Sequence, residues 1–379
     1  MFQALVERSS SPAVPGAAEP PAQLSRRTAL GALGAAGFTA AALAGGRAQE
    51  SKLVVPALPQ PAPGGAGGLP AGTDLNGAGF YRFKLGGPGG FTLTLLTDGS
   101  FPLGGSAGPF PMFGANATKE DVDAAAAEAM VPPARLLGHV HGMLVDAGSG
   151  DAGRVLIDTG CGSGMGPTTG RLVRSLALAG ITSAQIGAVV ITHAHPDHVG
   201  GLMEAAGLGL FPTAQFFAAK AEVDFWMNNP DLSKSHLDLK MKDAVTMTAK
   251  TIFSQLSEGA MKARFHMVAD GDKVIDGVTF TAAPGHTPGH GAVTVTTAAE
   301  KFVYLTDIAH YAPIQFPHPD WHVAYDTDPV QAAKTRRALL TKVAAEKTLV
   351  SGAHLPFPAV GYVRKEGAGF AWVPRVWEW

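Results

Sequence analysis

Within seven residues, Thr192-His193-Ala194-His195-Pro196-Asp197-His198, the chain places three imidazoles and one carboxylate, directly after the apolar run Ile186 to Ile191 and ahead of Val199-Gly200-Gly201-Leu202. This is part of a metal site whose remaining donors must come from elsewhere. A strand end that feeds a tight loop faces His193 and His195 to one side, because alternate residues of extended chain point the same way. Asp197 and His198 then fall where the chain turns into a helix, in place to serve a second ion.

Three later residues complete the set if the chain folds back. His286 follows the strand-like Val278 to Ala282, Asp307 ends the run Phe302 to Thr306, and His354 ends Thr348 to Ala353. Each lies just past a β-type run, and loops at the carboxyl edge of a sheet are where an α/β protein gathers chemistry from distant sequence. Five imidazoles, two carboxylates and no thiolate suit zinc, manganese, cobalt or iron(II) better than the all-oxygen shells of calcium or magnesium, with zinc the expected ion. Seven donors accommodate two ions: His193, His195 and His286 on one, Asp197, His198 and His354 on the other, and Asp307 bridging.

The elements that must position these donors follow from pattern. Phe80–Leu85 and Phe91–Leu96 read as paired strands, and Val140–Val145 and Arg154–Ile157 as two more around the turn Asp146 to Gly150. Helical spacing marks Gly170–Leu178, with Leu172, Val173 and Leu176 on one face, as well as Ala218–Met227 and Pro329–Ala345, the last opened by Asp328 as cap. Mixed β and α in this order predicts sheets covered by helices.

The chain has 379 residues, 46% of them apolar, enough to bury a large core. Its 29 basic and 31 acidic residues give a net charge of −2, which argues against a nucleic-acid partner. The single cysteine, Cys161, excludes an intrachain disulfide. Ser25-Arg26-Arg27-Thr28-Ala29-Leu30 precedes an uncharged Ala/Gly/Leu stretch to Gly46. Twin arginines before a weakly apolar segment resemble an export signal read by the twin-arginine machinery, so residues 1–48 are expected to be a leader and the protein periplasmic or secreted. Residues 49–78 are rich in Pro and Gly and read as a linker, and residues 79–379 as the folded domain. The extension before Gly79 also offers a reach toward a second copy, so a homodimer is among the expectations.

On His193, His195, Asp197 and His198 as an HxHxDH signature, with His286, Asp307 and His354 as its later ligands, the chain resembles the metallo-β-lactamase fold hydrolases. The resemblance implies an α+β, αβ/βα four-layer sandwich, and gives Asp158, in Leu156-Ile157-Asp158-Thr159-Gly160, the role of a buried carboxylate supporting the metal loop. From Gly79-Phe80-Tyr81-Arg82 to Ala353-His354-Leu355-Pro356-Phe357-Pro358 the chain is similar to the methyl parathion hydrolase branch with its lactonase and arylesterase relatives. That implies a binuclear metal-dependent hydrolase in which a metal-bridging hydroxide attacks a lactone or carboxylic ester. An organophosphate triester is the alternative substrate on the same site. A mono-iron persulfide dioxygenase and a non-catalytic binding scaffold are the other readings, and the complete donor set argues against the scaffold.

The same resemblance assigns substrate-side residues. His310 stands where the acyl-homoserine lactonases carry a tyrosine that touches the substrate carbonyl, so it is expected to donate to an oxyanion or leaving alkoxide, completing a catalytic set with the metal-ligating carboxylates Asp197 and Asp307. Trp226 matches an aromatic residue of the leaving-group pocket in the phosphotriesterases, and Met165 stands where those carry a phenylalanine, a departure that favours lactones and carboxylic esters. His290, four residues after His286, is expected to buttress the loop by hydrogen bonds. His139, His141, His236, His266, His318 and His322 lack ligand-like context and are assigned to surface or core, with His318-Pro319-Asp320-Trp321 a candidate overhang.

Overall fold

The computed structural model describes residues 79–103, 109–131, 136–204 and 207–376. The expected leader, 1–48, and linker, 49–78, lie outside the described residues. The amino-terminal half forms one sheet, in sequential order: β1 (Phe80–Leu85), β2 (Phe91–Pro102), β3 (Leu137–Asp146), β4 (Arg154–Ile157), β5 (Ala188–Ile191), β6 (Gln215–Ala219) and β7 (Phe265–Val268). The carboxyl-terminal half forms a second, again with sequential neighbours: β8 (Lys273–Ile275), β9 (Val278–Ala282), β10 (Gly291–Thr296), β11 (Lys301–Tyr304), β12 (Leu349–Ser351), β13 (Val360–Glu366) and β14 (Gly369–Pro374). Both are mixed: β4 to β7 run parallel, as do β11 and β12, and the remaining pairs are antiparallel.

Two-residue periodicity divides the first sheet between two cores. Leu93, Leu95, Met143, Val145, Val155, Ile157 and Val190 face the second sheet, meeting Phe280, Val293, Val295, Phe302 and Tyr304. Their alternates Leu96, Leu144, Leu156, Val189 and Ile191 face helices α2 (Leu172–Leu178), α3 (Pro196–Val199), α4 (Lys220–Met227) and α5 (Leu239–Ser257). A strand buried on both faces must be apolar throughout, as β5 (Ala-Val-Val-Ile) is. Each such side chain contributes about 1.5–3 kcal/mol of burial. Helix α7 (Pro329–Glu346) covers the second sheet with Leu340 and Val343, so the layers are the expected αβ/βα sandwich.

A third, smaller core sits apart from the sandwich. Helix α1 (Lys119–Glu128), in the long connection between β2 and β3, contributes Ala125 and Ala126. They pack with Phe113, Val323 and Ile314 of helix α6 (Ala312–Gln315), and Phe113 bridges Val323.

Several boundaries differ from those the sequence suggests. Val173 is 38% exposed, because α2 begins only at Leu172 and the phase of so short a helix buries Leu172, Ser175 and Leu176 instead. Ala218 and Ala219 close β6 rather than opening α4. Helix α5 escapes a reading by pattern: Val245, Ala249, Ile252, Phe253 and Leu256 make its buried stripe, while exposed Leu239, Met241 and Met247 blur the periodicity. Asp328 caps α7 as expected, accepting from the Gln331 N–H.

Two glycines let the ligand-bearing segment lie flat on the β4 loop. A Cβ on Gly200 would sit 2.1 Å from the carbonyl oxygen of Cys161, and one on Gly201 2.3 Å from that of Thr159. Replacing Gly200 by Ala is therefore expected to lower the urea-unfolding free energy by about 1–3 kcal/mol, the range for forced overpacking against backbone; a loss below about 0.5 kcal/mol would show that this close approach is not a constraint.

Candidate metal centre

All seven donors expected from sequence converge at one edge of the sandwich, where β5, β9, β11 and β12 end. After Ile191 the chain bends at Thr192 and is extended again at His195, and Pro196 at the first helical position starts α3, which turns Asp197 and His198 inward. His286 sits in the turn between β9 and β10. Asp307 lies in a 3-10 turn, Thr306–Ile308, and His354 in the loop after β12. The two sheets are joined here by backbone: the Gly291 N–H donates to the Thr192 carbonyl (3.0 Å), and the His141 N–H to that of Ala353 (2.9 Å).

The donor atoms gather as His193, His195 and His286 and as Asp197, His198 and His354, with Asp307 also grouping with His193 and His290 and with His286 and His310. His286 Nε2 is 3.1 Å from His193 Nε2 and 2.9 Å from His195 Nδ1. Asp197 Oδ2 is 3.4 Å from His354 Nε2 and 3.7 Å from His198 Nε2. Asp307 stands between them, with Oδ2 3.3 Å from His286, 3.6 Å from His193 and 3.2 Å from His354, and Oδ1 3.2 Å from His198 Nε2. In each set the donor atoms lie within 4.8 Å of one another.

The electrostatics fit a cation. Burial holds His193, His195 and His286 well below the usual imidazole range, hence neutral with a lone pair to offer. Burial alone would raise the Asp307 carboxyl, but the surrounding imidazoles, His198 foremost, keep it well below the usual carboxylate range. His198 Nε2 and Asp307 Oδ1 face each other without the alignment of a hydrogen bond, although both are buried. Converging lone pairs and a buried carboxylate are costly until a shared positive charge offsets them, and this donor chemistry suits a divalent ion of the zinc type.

The far side of most ligand rings is also held. Asp158 Oδ2 meets His198 Nδ1 at 2.7 Å and accepts from the Thr192 hydroxyl at 2.8 Å, while its Oδ1 accepts from the Thr192 N–H at 2.9 Å. Asp158 adopts φ +61° to do so, and Thr306, just before Asp307, adopts φ +52°. A buried β-branched residue in the left-handed region costs of order 1–3 kcal/mol, and such strain collects at functional sites. His290 stabilises that turn: Nδ1 meets the Ala283 carbonyl (2.8 Å) and Nε2 lies 2.6 Å from the Thr306 hydroxyl and 3.2 Å from the Asp307 N–H. Its ring nitrogens are thus occupied by protein groups.

The histidines read as bland include two that support the site. The His139 carbonyl meets His354 Nδ1 at 2.5 Å, and His141, buried, meets the Leu355 carbonyl at 2.9 Å. His236 and His266 are exposed, and His318 and His322 are half-buried. The 318–321 segment is anchored by Arg336, whose guanidinium donates to the carbonyls of Pro319 (2.8 Å) and Trp321 (2.9 Å).

His310 enters the cluster: its Nε2 is 3.1 Å from Asp307 Oδ2, its Nδ1 is buried without a partner, and its ring lies 4.9 Å from that of His286. Trp226, expected on the pocket wall, has no exposed surface and lies in the helix-side core, with its ring centroid 6.1 Å from that of His195. The aromatic surface beside the ligands is instead Tyr325, half-buried, 4.8 Å from the His310 ring and 5.9 Å from that of His286. Met165 is half-buried at the end of a 3-10 turn, Gly162–Met165, that packs against α3.

Pattern alone gives no reason to single out Asp326. It has no exposed surface, meets His286 Nδ1 at 2.8 Å, and is paired at 3.4 Å with Arg336, which also donates to the Ile308 carbonyl at 2.7 Å. Arg336 did carry a signal: it falls on the buried stripe Pro329, Ala332, Ala333, Arg336, Leu340, Val343 of α7, where a charge needs a buried partner.

Comparisons with known proteins place this geometry. The sequence profile of the family described as "Metallo-beta-lactamase superfamily" matches residues 136–216 and 219–354. A solved structure described as AidC, a dizinc quorum-quenching lactonase in complex with the product N-hexanoyl-L-homoserine, is 28% identical with a TM-score of 0.71, covering 79% of this chain and 99% of that one. The hydrolase AbOPH, described as in the beta-lactamase superfamily, is 26% identical with a TM-score of 0.70, covering 80% and 100%. A probable metal-dependent hydrolase from Staphylococcus aureus, 18% identical with a TM-score of 0.58 over 75% and 97%, shares the fold. No curated protein sequence matches the chain.

Stripping the full-length protein with a strong chelator is expected to lower its melting temperature by several degrees, reversed by zinc, since an ion that binds only the folded state at 100 times its Kd adds about 2.7 kcal/mol. A melting curve indifferent to chelator and zinc would mean that the cluster is not a metal centre.

Proposed function

The chain belongs to the metallo-β-lactamase superfamily, and from its two clustered donor sets we propose that it is a two-metal hydrolase of lactones and carboxylic esters. The observation that carries this reading is Asp307: one carboxylate with Oδ1 3.2 Å from a nitrogen of one set and Oδ2 3.3 Å from a nitrogen of the other. His193, His195 and His286 would hold the first ion, and Asp197, His198 and His354 the second. When bound, two such ions would supply Lewis-acid polarisation of a carbonyl and lower the pKa of a bound water toward neutrality.

The protein's own groups set the remaining conditions. Asp158, Asp326 and the His139 carbonyl fix the tautomers of His198, His286 and His354, so that each presents Nε2 to the site. Asp307 stays ionised and neutralises part of the cationic charge. His310 keeps a proton at Nε2 toward Asp307 Oδ2, placed to donate to a developing oxyanion or a departing alkoxide. Tyr325, with Tyr311 and Trp321 of the third core behind it, offers an apolar wall for an acyl or aryl group. The likeness to a structure described as a lactonase with a homoserine product supports lactones ahead of phosphotriesters. Arg26-Arg27 before an Ala/Gly/Leu stretch supports export of the folded protein through the twin-arginine machinery to the periplasm.

Ranking kcat/KM of the zinc-loaded enzyme on acyl-homoserine lactones, aryl lactones, aryl acetates and paraoxon-type triesters tests the substrate class, with lactones or carboxylic esters expected first; a triester at the top would reverse the assignment. Asp307→Asn is expected to reduce bound zinc below two per chain and kcat/KM on the order of 100-fold or more, and full metal content with full turnover would sink the bridging role. His310→Phe is expected to reduce kcat by about 100-fold with metal content intact; an unchanged kcat removes it from the mechanism.

A further inference from the structure

Glu222, in the first turn of α4, belongs to neither donor set and has no exposed surface. Its carboxylate accepts four hydrogen bonds. Oε1 takes the Ala194 N–H (2.9 Å) and the Trp226 indole N–H (2.6 Å), and Oε2 takes the Thr287 hydroxyl (2.5 Å) and the Gly289 N–H (3.0 Å). Ala194 lies between ligands His193 and His195, while Thr287 and Gly289 follow ligand His286. One side chain from a third element therefore spans the two loops that carry the first donor set, loops that emerge from different sheets. The contact is as close as backbone permits, since a Cβ on Gly289 would lie 2.1 Å from the Glu222 nitrogen.

The second set has other supports. Asp158 holds His198, and the His139 carbonyl holds His354. Neither bears on the junction between the His193–His195 loop and the His286 loop. The backbone bond from the Gly291 N–H to the Thr192 carbonyl joins the bases of these loops, and Glu222 is the side chain that ties them beside the point where the His193, His286 and His195 ring nitrogens converge. Ionised acceptors make the stronger hydrogen bonds, and groups behind a ligand commonly govern ion affinity.

We propose that Glu222 is a positioning residue that sets the affinity of the His193/His195/His286 site selectively, without touching the ion, and leaves the Asp197/His198/His354 site unchanged. The proposal rests on the two-ion reading above. Glu222→Gln preserves volume but turns one acceptor oxygen into a donor. Whichever way the amide is oriented, its NH2 then faces a backbone N–H, of Ala194 or of Gly289.

The test is a cobalt(II) and zinc titration of metal-stripped full-length protein, competed with a chromogenic chelator, for wild type, Glu222→Gln and His195→Ala. Wild type is expected to take up two ions. Glu222→Gln is expected to weaken one of them by about 10–100-fold, the one whose cobalt absorption bands His195→Ala also removes, with the melting temperature of the metal-free protein little changed. Equal weakening of both ions in step with a fall in metal-free melting temperature would make Glu222 a purely structural residue and overturn the proposal, as would two unchanged affinities. Should Glu222→Gln fail to fold, Thr287→Val and Trp226→Phe each remove one donor while keeping the carboxylate, and each must weaken the same ion by a smaller factor. A wild-type stoichiometry of one would instead overturn the two-ion reading, independently of what the variants do.

Discussion

The Asp307 carboxylate is buried among the imidazoles of His193, His198, His286, His310 and His354. A charge in that position is tolerable only because groups from both halves of the chain surround it, and those groups are themselves tolerable only around a charge. Much of the neighbouring architecture follows from keeping this arrangement in place: the left-handed turn at Thr306, the His290 brace beneath it, and the backbone hydrogen bonds that join the two sheets at this edge. An arrangement of this kind favours rigidity over easy rearrangement, because the rings of His198, His286 and His354 are each held from behind by a protein group.

Charged residues reach the interior in a consistent way. Asp158, Glu222 and Asp326 are all buried, and each contacts a ligand ring or a ligand-bearing loop. Arg336 is the cationic counterpart, reaching Asp326 and the Ile308 carbonyl from the buried face of α7. A buried ion pair adds little to stability compared with well-packed apolar groups. What these residues supply is direction: they decide which nitrogen of a ring faces the site and how far apart two loops stand. The face beside Tyr325 is built differently, from the small core of α1, α6 and the 311–325 segment, where apolar packing rather than charge shapes the surface.

The candidate donors were legible in the sequence because metal chemistry restricts residue type, and because four of them lie within six positions after an apolar strand. Strands β4 and β5 were legible for the same kind of reason, since a short strand between two cores has few polar positions to spare. Helix α5 was not, because its solvent face carries methionines and a leucine that obscure the stripe. Trp226 shows the limit of residue type as a guide: an indole four residues after a glutamate serves a pocket or a core equally well, and here a hydrogen bond to buried Glu222 holds it in the core.

The sequence by itself marked the seven candidate donors and predicted sheets covered by helices, since these depend on local chemistry and short-range periodicity; the four-layer sandwich followed from the family resemblance that those donors carry. Tertiary structure alone decided what stands behind the donors and beside them: Glu222, Asp326 and Arg336 in support, His310 turned toward Asp307, and Tyr325 rather than Trp226 as the neighbouring aromatic. Those assignments depend on which distant segments meet, and a single sequence does not encode that meeting in any spacing along the chain.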